Sequence, residues 1–238
     1  MPIQGSFKIP IGLTYTEVEP FYLDFGRLGV MGLCGKENTG HKNFVDNLIQ
    51  TLEENREHYP SKVFILDDVS RKFASLNSFN VVEQYTLDVQ ETPNIIARCY
   101  AELETRYNVL MDDDQTGGIQ PLLVLIIQNN DAAKIIAEDF TAMDQYREIM
   151  DRFRALNVCV IFSNYPNAAV SYDAPEPLRM IKDAQHLIYF DSLNNLKPFD
   201  VAYEYVRTYR KRLGTGDAYY INDAEVTKLK LVRSNPIV

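Results

Sequence analysis

Short, fully apolar runs alternate with longer amphipathic stretches along this chain, which is the pattern of a parallel sheet covered by helices. The apolar runs lack the alternation of a half-exposed strand, so we expect both faces of the sheet to be buried. The pattern therefore predicts an α/β fold with a mainly parallel sheet. Its predicted strands are residues 29–35, 61–68, 121–130, 158–164, 185–192 and 217–223.

The amphipathic stretches predict helices between these strands. Residues 42–55, for example, place Phe44, Leu48 and Leu52 on one helical stripe. The other helical segments predicted are residues 94–110, residues 132–156, which are helical in composition, and a segment within residues 199–216 that ends at Gly214 and Gly216.

The segment GLCGKENTGHKN, residues 32–43, matches only part of a phosphate-binding loop. Gly35 and Gly40 have the spacing of G-x-x-x-x-G-K-[ST], and the segment lies between a predicted strand and a predicted helix. His41 and Lys42, however, occupy the positions of the usual Lys and Ser or Thr. The candidate nucleotide-binding residues of this loop are Gly35, Lys36, Asn38, Thr39, Gly40, His41 and Lys42.

These replacements remove the side-chain chemistry of the loop and leave its backbone N–H groups. His41 is shorter than lysine and mostly neutral at pH 7. Lys42 is turned by about 100° around the helix, and an ammonium has no lone pair with which to hold magnesium. Lys36 remains as a cation that can bend over the loop. We therefore expect no resident cofactor, with ATP and Mg²⁺ bound only if the altered loop still holds phosphate.

The catalytic acids of an ATPase are also replaced. Such enzymes carry an acid pair at the end of a buried strand, one to position magnesium and one to activate water. Gln128 and Asn129 occupy these places, and an amide is neither a base nor a charged ligand. Asp131 comes too late and suits a helix start, while Asn164 follows the next strand in a sensor-like position. No catalytic residue and no metal ligand are predicted.

Two segments are candidate contact surfaces, although no residue is assigned to substrate binding. Tyr205 and Tyr209 lie one helical turn apart in a stretch that also carries arginines, and the proline-rich residues 164–177 form a loop. The first suits either an interface or a helix that covers its own sheet. The second suits either a pocket or ring interface, or a plain connection.

Composition limits the classes of function. The 238 residues, 46% of them hydrophobic, suit one domain with a large core. A net charge of −9 argues against nucleic acid as a partner. The three cysteines are few and widely spaced, as expected for buried thiols. There is no apolar run near the length of a membrane span and no charged-then-apolar pattern at Met1, so we expect neither a membrane span nor secretion.

The order of several segments resembles that of FtsK/SpoIIIE-type ATPase domains. Within these, the chain is most similar to the third, C-terminal ATPase domain of the EssC family, the coupling ATPases of type VII secretion in Gram-positive bacteria. The similarity extends over nearly all of residues 9–233. The segments that carry it, besides the glycine loop, are IPIGLTYTEVEPFYLDF (9–25), ELETRY (102–107), the strand at 122–127, IFSNYP (161–166) and LGTGDAYYI (213–221).

This resemblance implies a RecA-like P-loop core of the FtsK/HerA type, with residues 1–25 as a lead-in and 26–238 as one degenerate ATPase domain. It implies a membrane-anchored parent protein with further ATPase domains, hexameric rings, and a location on the cytoplasmic side of the membrane. The expected function is recognition of secreted WXG100-type substrates through their C-terminal export signals, without ATP hydrolysis. The alternative is an active or nucleotide-binding ATPase or a DNA translocase module.

Overall fold

A computed structural model describes residues 7–36, 39–111, 120–168 and 170–235 of the chain. In these residues, one sheet contains ten strands. They are β1 (Lys8–Thr14), β2 (Pro20–Asp24), β3 (Gly29–Cys34), β4 (Ser61–Leu66), β5 (Val82–Thr86), β6 (Leu122–Ile127), β7 (Val158–Tyr165), β8 (Leu187–Tyr189), β9 (Asp217–Asn222) and β10 (Glu225–Leu231). Seven α-helices accompany them in the described ranges: α1 (Phe25–Leu28), α2 (His41–Glu54), α3 (Thr92–Met111), α4 (Asp131–Glu138), α5 (Phe140–Asp151), α6 (Glu176–Ala184) and α7 (Tyr203–Thr208).

The sheet has a parallel part and an antiparallel extension. The strand order is β2–β1–β10–β9–β8–β3–β7–β6–β4–β5. From β8 to β5 all neighbouring strands pair in parallel. The strands from β9 to β2 pair antiparallel. The predicted α/β class is therefore confirmed, and β3, the strand before the glycine loop, lies inside the parallel part.

Two apolar layers cover the sheet, one on each face. Successive residues of β3 point to opposite faces, so Val30 belongs to the layer under α3, α4 and α5, and Met31 to the layer under α2. Every residue of β3 and of β6 is buried. This two-sided burial explains why these strands read as continuous apolar runs.

The hydrophobic pattern misses the strands that are not buried on both faces. The lead-in segment forms β1 and β2, which extend the same sheet as an antiparallel pair at its edge. β5 lies at the opposite edge and β10 alternates between buried and exposed positions. The short helix α6 is a further element that the pattern did not predict.

The helical composition of residues 132–156 is confirmed for most of this range, but as two helices, because Asp139 separates α4 from α5. Asp139 has extended backbone angles, and its N–H donates to the carbonyl of Ile135 at 3.0 Å to end α4. Its carboxylate then accepts the N–H of Ala142 at 2.9 Å and caps the start of α5. One residue thus ends one helix and begins the next.

The predicted end of the last helix is wrong. The helix ends at Thr208, and Tyr209 follows as its cap. Gly214 belongs instead to a turn before β9, where its N–H donates to the Asp217 carboxylate at 2.8 Å. Tyr205 and Tyr209 stack with ring centroids 6.5 Å apart and pack against the core. This packing favours a helix that covers its own sheet.

The three cysteines are free and buried, as the sequence predicts. Burial raises the pKa of the Cys34 and Cys99 thiols to about 12. Within the described ranges no helix is both long enough and apolar enough to cross a membrane.

We expect Asp139→Ala to lower the free energy of unfolding by about 1 kcal/mol, because α5 loses its side-chain cap. Asp144→Ala is the matched control, since Asp144 is an exposed aspartate within α5. Urea denaturation measures both variants. Equal stability of the two variants would contradict the capping role.

Candidate functional site

The candidate site lies at the carboxyl end of β3, where the glycine loop leads into α2. In open α/β sheets, ligands bind at this end of the strands. β7 and β8 flank β3, so the ends of these two strands are the nearest walls of the site. Of the predicted loop residues, Asn38 lies outside the described residues. The hydroxyl of Thr39 donates to the carbonyl oxygen of Lys36.

Phe190, which follows β8, packs closely against both glycines of the loop. Gly35 and Gly40 have positive φ angles of 132° and 153°. A Cβ at Gly35 would lie 2.8 Å from the backbone nitrogen of Phe190, and one at Gly40 would lie 2.5 Å from its ring. The Phe190 N–H donates to the carbonyl of Cys34 at 2.8 Å. Both glycines are therefore required by backbone conformation and by space.

His41, at the position of the phosphate-loop lysine, is directed into apolar packing. Its side chain is only 5% exposed and its ring centroid lies 4.5 Å from that of Phe190. Burial, together with the positive charge of Lys72, lowers the pKa of His41 to about 4. Its Nδ1 has no hydrogen-bond partner among the described residues. His41 therefore supplies no positive charge at neutral pH.

Lys42 is held by an acid on its own helix. Its ammonium lies 2.6 Å from the carboxylate of Asp46, one turn further along α2. Burial raises the pKa of Asp46 above its usual range, in opposition to the nearby Lys42. A phosphate group would therefore have to compete with the Asp46 carboxylate for the Lys42 ammonium.

Lys36 and Thr39 border a cleft beside the loop. The cleft has a volume of about 630 Å³, and residues after β8 and before β9 form its other walls. Arg212 is a second cation in its lining, while Asp191 and Asp217 are acids there. The cleft is polar and carries charges of both signs.

At the end of β6, the side chain of Gln128 is buried, and both its carbonyl and its amide group make hydrogen bonds. Its carbonyl accepts the Ser163 hydroxyl at 2.8 Å, and its amide donates to the Asp68 carboxylate at 3.3 Å. Burial opposes the ionisation of Asp68, but hydrogen bonds from Ser70 and Gln128 outweigh it and lower its pKa. These contacts fix the amide in the place predicted for a catalytic acid.

Asn129 and Asn164 lie near this network and make local contacts. The Asn129 side chain accepts the N–H of Asp131 at 3.0 Å, and Asp131 is the first residue of α4. Asn164 is exposed, and its backbone carbonyl accepts the Asn130 side-chain amide at 2.8 Å. The strand order places β7 between β3 and β6, so Asn164 lies on the strand between the loop and Gln128.

Phe190, Ser163 and Asp68 are parts of this site that were not predicted from the sequence. A signal for Asp68 was present, because two aspartates follow the apolar run of β4, the neighbour of β6. The packing of Phe190 on the loop had no signal in the chain, since these residues are far apart in sequence and meet only through the order of the strands.

The proline-rich segment also borders a cleft. Residues 170–172 and α6 line a space of about 560 Å³. Tyr172 is 88% exposed, and the Arg179 guanidinium lies 5.5 Å from the centre of its ring.

Comparison with solved structures identifies relatives of the fold. ATPases 2 and 3 of EssC from Geobacillus thermodenitrificans align over 98% of this chain with a TM-score of 0.73 and 17% identity. The fold is similar to that of the EssC and EccC ATPase domains. The cytoplasmic domain of the type VII secretion ATPase EccC from Thermomonospora curvata aligns over 97% with a TM-score of 0.68 and 15% identity. This chain covers 42% of that EssC chain and 26% of that EccC chain.

A conjugation coupling protein has a related fold. The pCW3 protein TcpA, solved with ATPγS, aligns over 97% of this chain and 67% of its own, with a TM-score of 0.63 and 12% identity. No family model and no curated protein sequence matches the chain. The predicted resemblance to EssC and the RecA-like P-loop fold are thus confirmed as similarities of structure. The roles of the individual site residues remain predictions.

We expect His41→Gln to weaken the pH dependence of stability. Because folding lowers the pKa of His41 from 6.5 to about 4, the unfolded state takes up a proton first as pH falls. Above pH 6.5 His41 is mostly neutral in both states and does not lower the free energy of unfolding. As the pH falls from 6.5 to about 4, His41 protonates mainly in the unfolded state and the free energy of unfolding decreases, by about 1 kcal/mol at pH 5.5.

Chemical denaturation at pH 7.5 and 5.5 measures this difference between wild type and variant. The pKa of His186 is also lowered to about 4 by burial, but His186 is present in both proteins and does not affect the comparison. An unchanged pH dependence in His41→Gln would show that His41 does not remain neutral when folded.

Proposed function

We propose that this chain is an ATPase-like domain of a type VII secretion coupling protein that recognises export substrates and does not hydrolyse ATP. Its fold similarity to EssC and EccC ATPase domains supports the assignment to a secretion machine. Residues 1–25 serve as the lead-in and residues 26–238 as the degenerate ATPase domain.

The observation that carries the proposal of inactivity is the anchored amide of Gln128. ATP hydrolysis needs a carboxylate at this position, either to activate the attacking water or to position magnesium, and an amide does neither. The bonds from Ser163 and to Asp68 hold the Gln128 amide in place. Losing one preorganised polar group typically costs about 10² to 10³ in rate, although coupled losses do not simply add.

The geometry of the glycine loop supports the same proposal. A phosphate loop needs a lysine at the β and γ oxygens and a hydroxyl on magnesium. His41 is buried and neutral, and Lys42 pairs with Asp46. The loop therefore keeps the conformation of its two glycines but lacks both the lysine charge and the hydroxyl.

Recognition of substrates is proposed by analogy with a related structure. The structure of ATPases 2 and 3 of Thermomonospora curvata EccC was solved in complex with a signal sequence peptide. Its fold is similar to that of this chain, with a TM-score of 0.67 and 14% identity. We propose that this domain likewise binds the C-terminal export signals of WXG100-type substrates and so regulates export. It works beside other ATPase domains of its parent protein, in a hexameric ring at the cytoplasmic face of the membrane.

Calorimetric titration with ATP and Mg²⁺ tests whether the loop is vestigial. We expect no heat of binding up to millimolar ATP, because the loop lacks the lysine and hydroxyl that bind the phosphates and magnesium. The paired variant His41→Lys/Lys42→Thr restores both groups and is the positive control. It should gain measurable binding if the backbone of the loop is competent.

Micromolar binding by the wild type that disappears in Lys36→Ala/Lys42→Ala would contradict the proposal. It would favour the second candidate, a nucleotide-binding or active FtsK/SpoIIIE-type ATPase, for which the cleft beside Lys36 and Thr39 offers about 630 Å³.

Binding of a fluorescent C-terminal export-signal peptide tests the recognition role. We expect saturable binding by anisotropy, and no binding of the same peptide with a scrambled sequence. Equal binding of both peptides would contradict recognition. Salt-sensitive binding of duplex DNA in the same assay would instead favour a translocase module.

A further inference from the structure

After the end of β10 the chain runs along α2, the helix that begins at the glycine loop. Residues 232–235 form this crossing segment, which we call the strap. The strap begins where the N–H of Val232 donates to the carbonyl of Ile11 at 3.0 Å. It is therefore anchored to the sheet at one end and lies on α2 beyond that point.

Two amide side chains of α2 bind the main chain of the strap. Asn43 donates to the carbonyl of Val232 at 2.7 Å and accepts the N–H of Ser234 at 3.0 Å. Gln50 donates to the carbonyl of Asn235 at 2.8 Å and accepts the N–H of the same residue at 3.0 Å. Each amide thus offers one donor and one acceptor to the backbone, as the edge of a strand does.

The spacing of the two amides matches an extended peptide. Asn43 and Gln50 are two helical turns apart, which is about 10.5 Å along the axis. Three residues of extended chain, from Val232 to Asn235, span about 10 Å. Because the contacts use main-chain groups, the site recognises an extended backbone more than a particular sequence. Among the described residues, the Ser234 hydroxyl adds a side-chain hydrogen bond, which it donates to Asn43 at 3.3 Å.

We propose that Asn43 and Gln50 form a docking site for an extended peptide segment, that residues 232–235 of this chain occupy it, and that the docked strap stabilises the first turn of α2. Asn43 is the third residue of α2, beside Phe44, whose N–H donates to the carbonyl of Gly40 at 2.9 Å. Release of the strap therefore loosens the turn that connects the glycine loop to the helix. This proposal does not depend on the proposed function.

Amide hydrogen exchange measured by NMR tests the docking site in the full chain. In Asn43→Ala/Gln50→Ala, the N–H groups of Ser234 and Asn235 should exchange at least about tenfold faster, since each loses its acceptor. The Val232 N–H, which bonds to Ile11, should change much less. Asn47→Ala is the matched control, because it removes an amide from the same helix and should leave the strap unchanged.

A variant of the strap itself tests the coupling to the loop without altering α2. Ser234→Pro removes the N–H that Asn43 accepts. We expect the Phe44 N–H to exchange severalfold faster in this variant than in the wild type. This variant also tests docking if the double variant does not fold, through faster exchange at Asn235.

Two results would overturn the proposal. Ser234 and Asn235 exchange rates equal to those of the wild type in Asn43→Ala/Gln50→Ala would show that the amides do not hold the strap. An unchanged Phe44 rate in Ser234→Pro, with Asn235 exchange accelerated, would show that the strap does not stabilise the first turn.

Discussion

The close contact between the two loop glycines and Phe190 fixes the geometry on which the candidate site depends. Any Cβ at Gly35 or Gly40 would overlap atoms of Phe190, and both backbones have positive φ. The backbone N–H of Phe190 in turn donates a hydrogen bond to the carbonyl of Cys34 at the end of β3. The positions of Gly35 and Gly40 are therefore fixed by packing against Phe190, which the sheet itself holds in place.

Three side chains at the key positions of the site are engaged in contacts within the protein. His41 packs as a neutral aromatic ring against Phe190, and Lys42 pairs with Asp46. Gln128 bridges Ser163 and Asp68 across three neighbouring strands. The contacts of Lys42 and Gln128 tie these two side chains into the folded structure. The ATPase-like fold thus serves as a scaffold for recognition in the function we propose.

The parallel centre of the fold was predictable because its strands are buried on both faces, as β3 and β6 show. The edge strands β2 and β5 were not, since a partly exposed strand has a weaker apolar pattern. The break at Asp139 depends on one capping carboxylate within a stretch of continuous helical composition. In the site, the spacing of Gly35 and Gly40 was enough to locate the loop. The packing of Phe190 on the loop and of the strap on α2 was not predictable, because these residues are far apart in sequence and meet only in the tertiary structure.

Release of phosphate from ATP is the direct test of whether this domain hydrolyses nucleotide. The domain should be measured at millimolar ATP and Mg²⁺, beside a Lys36→Ala/Lys42→Ala sample that controls for contaminating ATPases. We expect a rate that is equal in both samples and no higher than the background without protein. Steady phosphate release that falls in the double variant would contradict it and show that this loop still works as a catalytic nucleotide site.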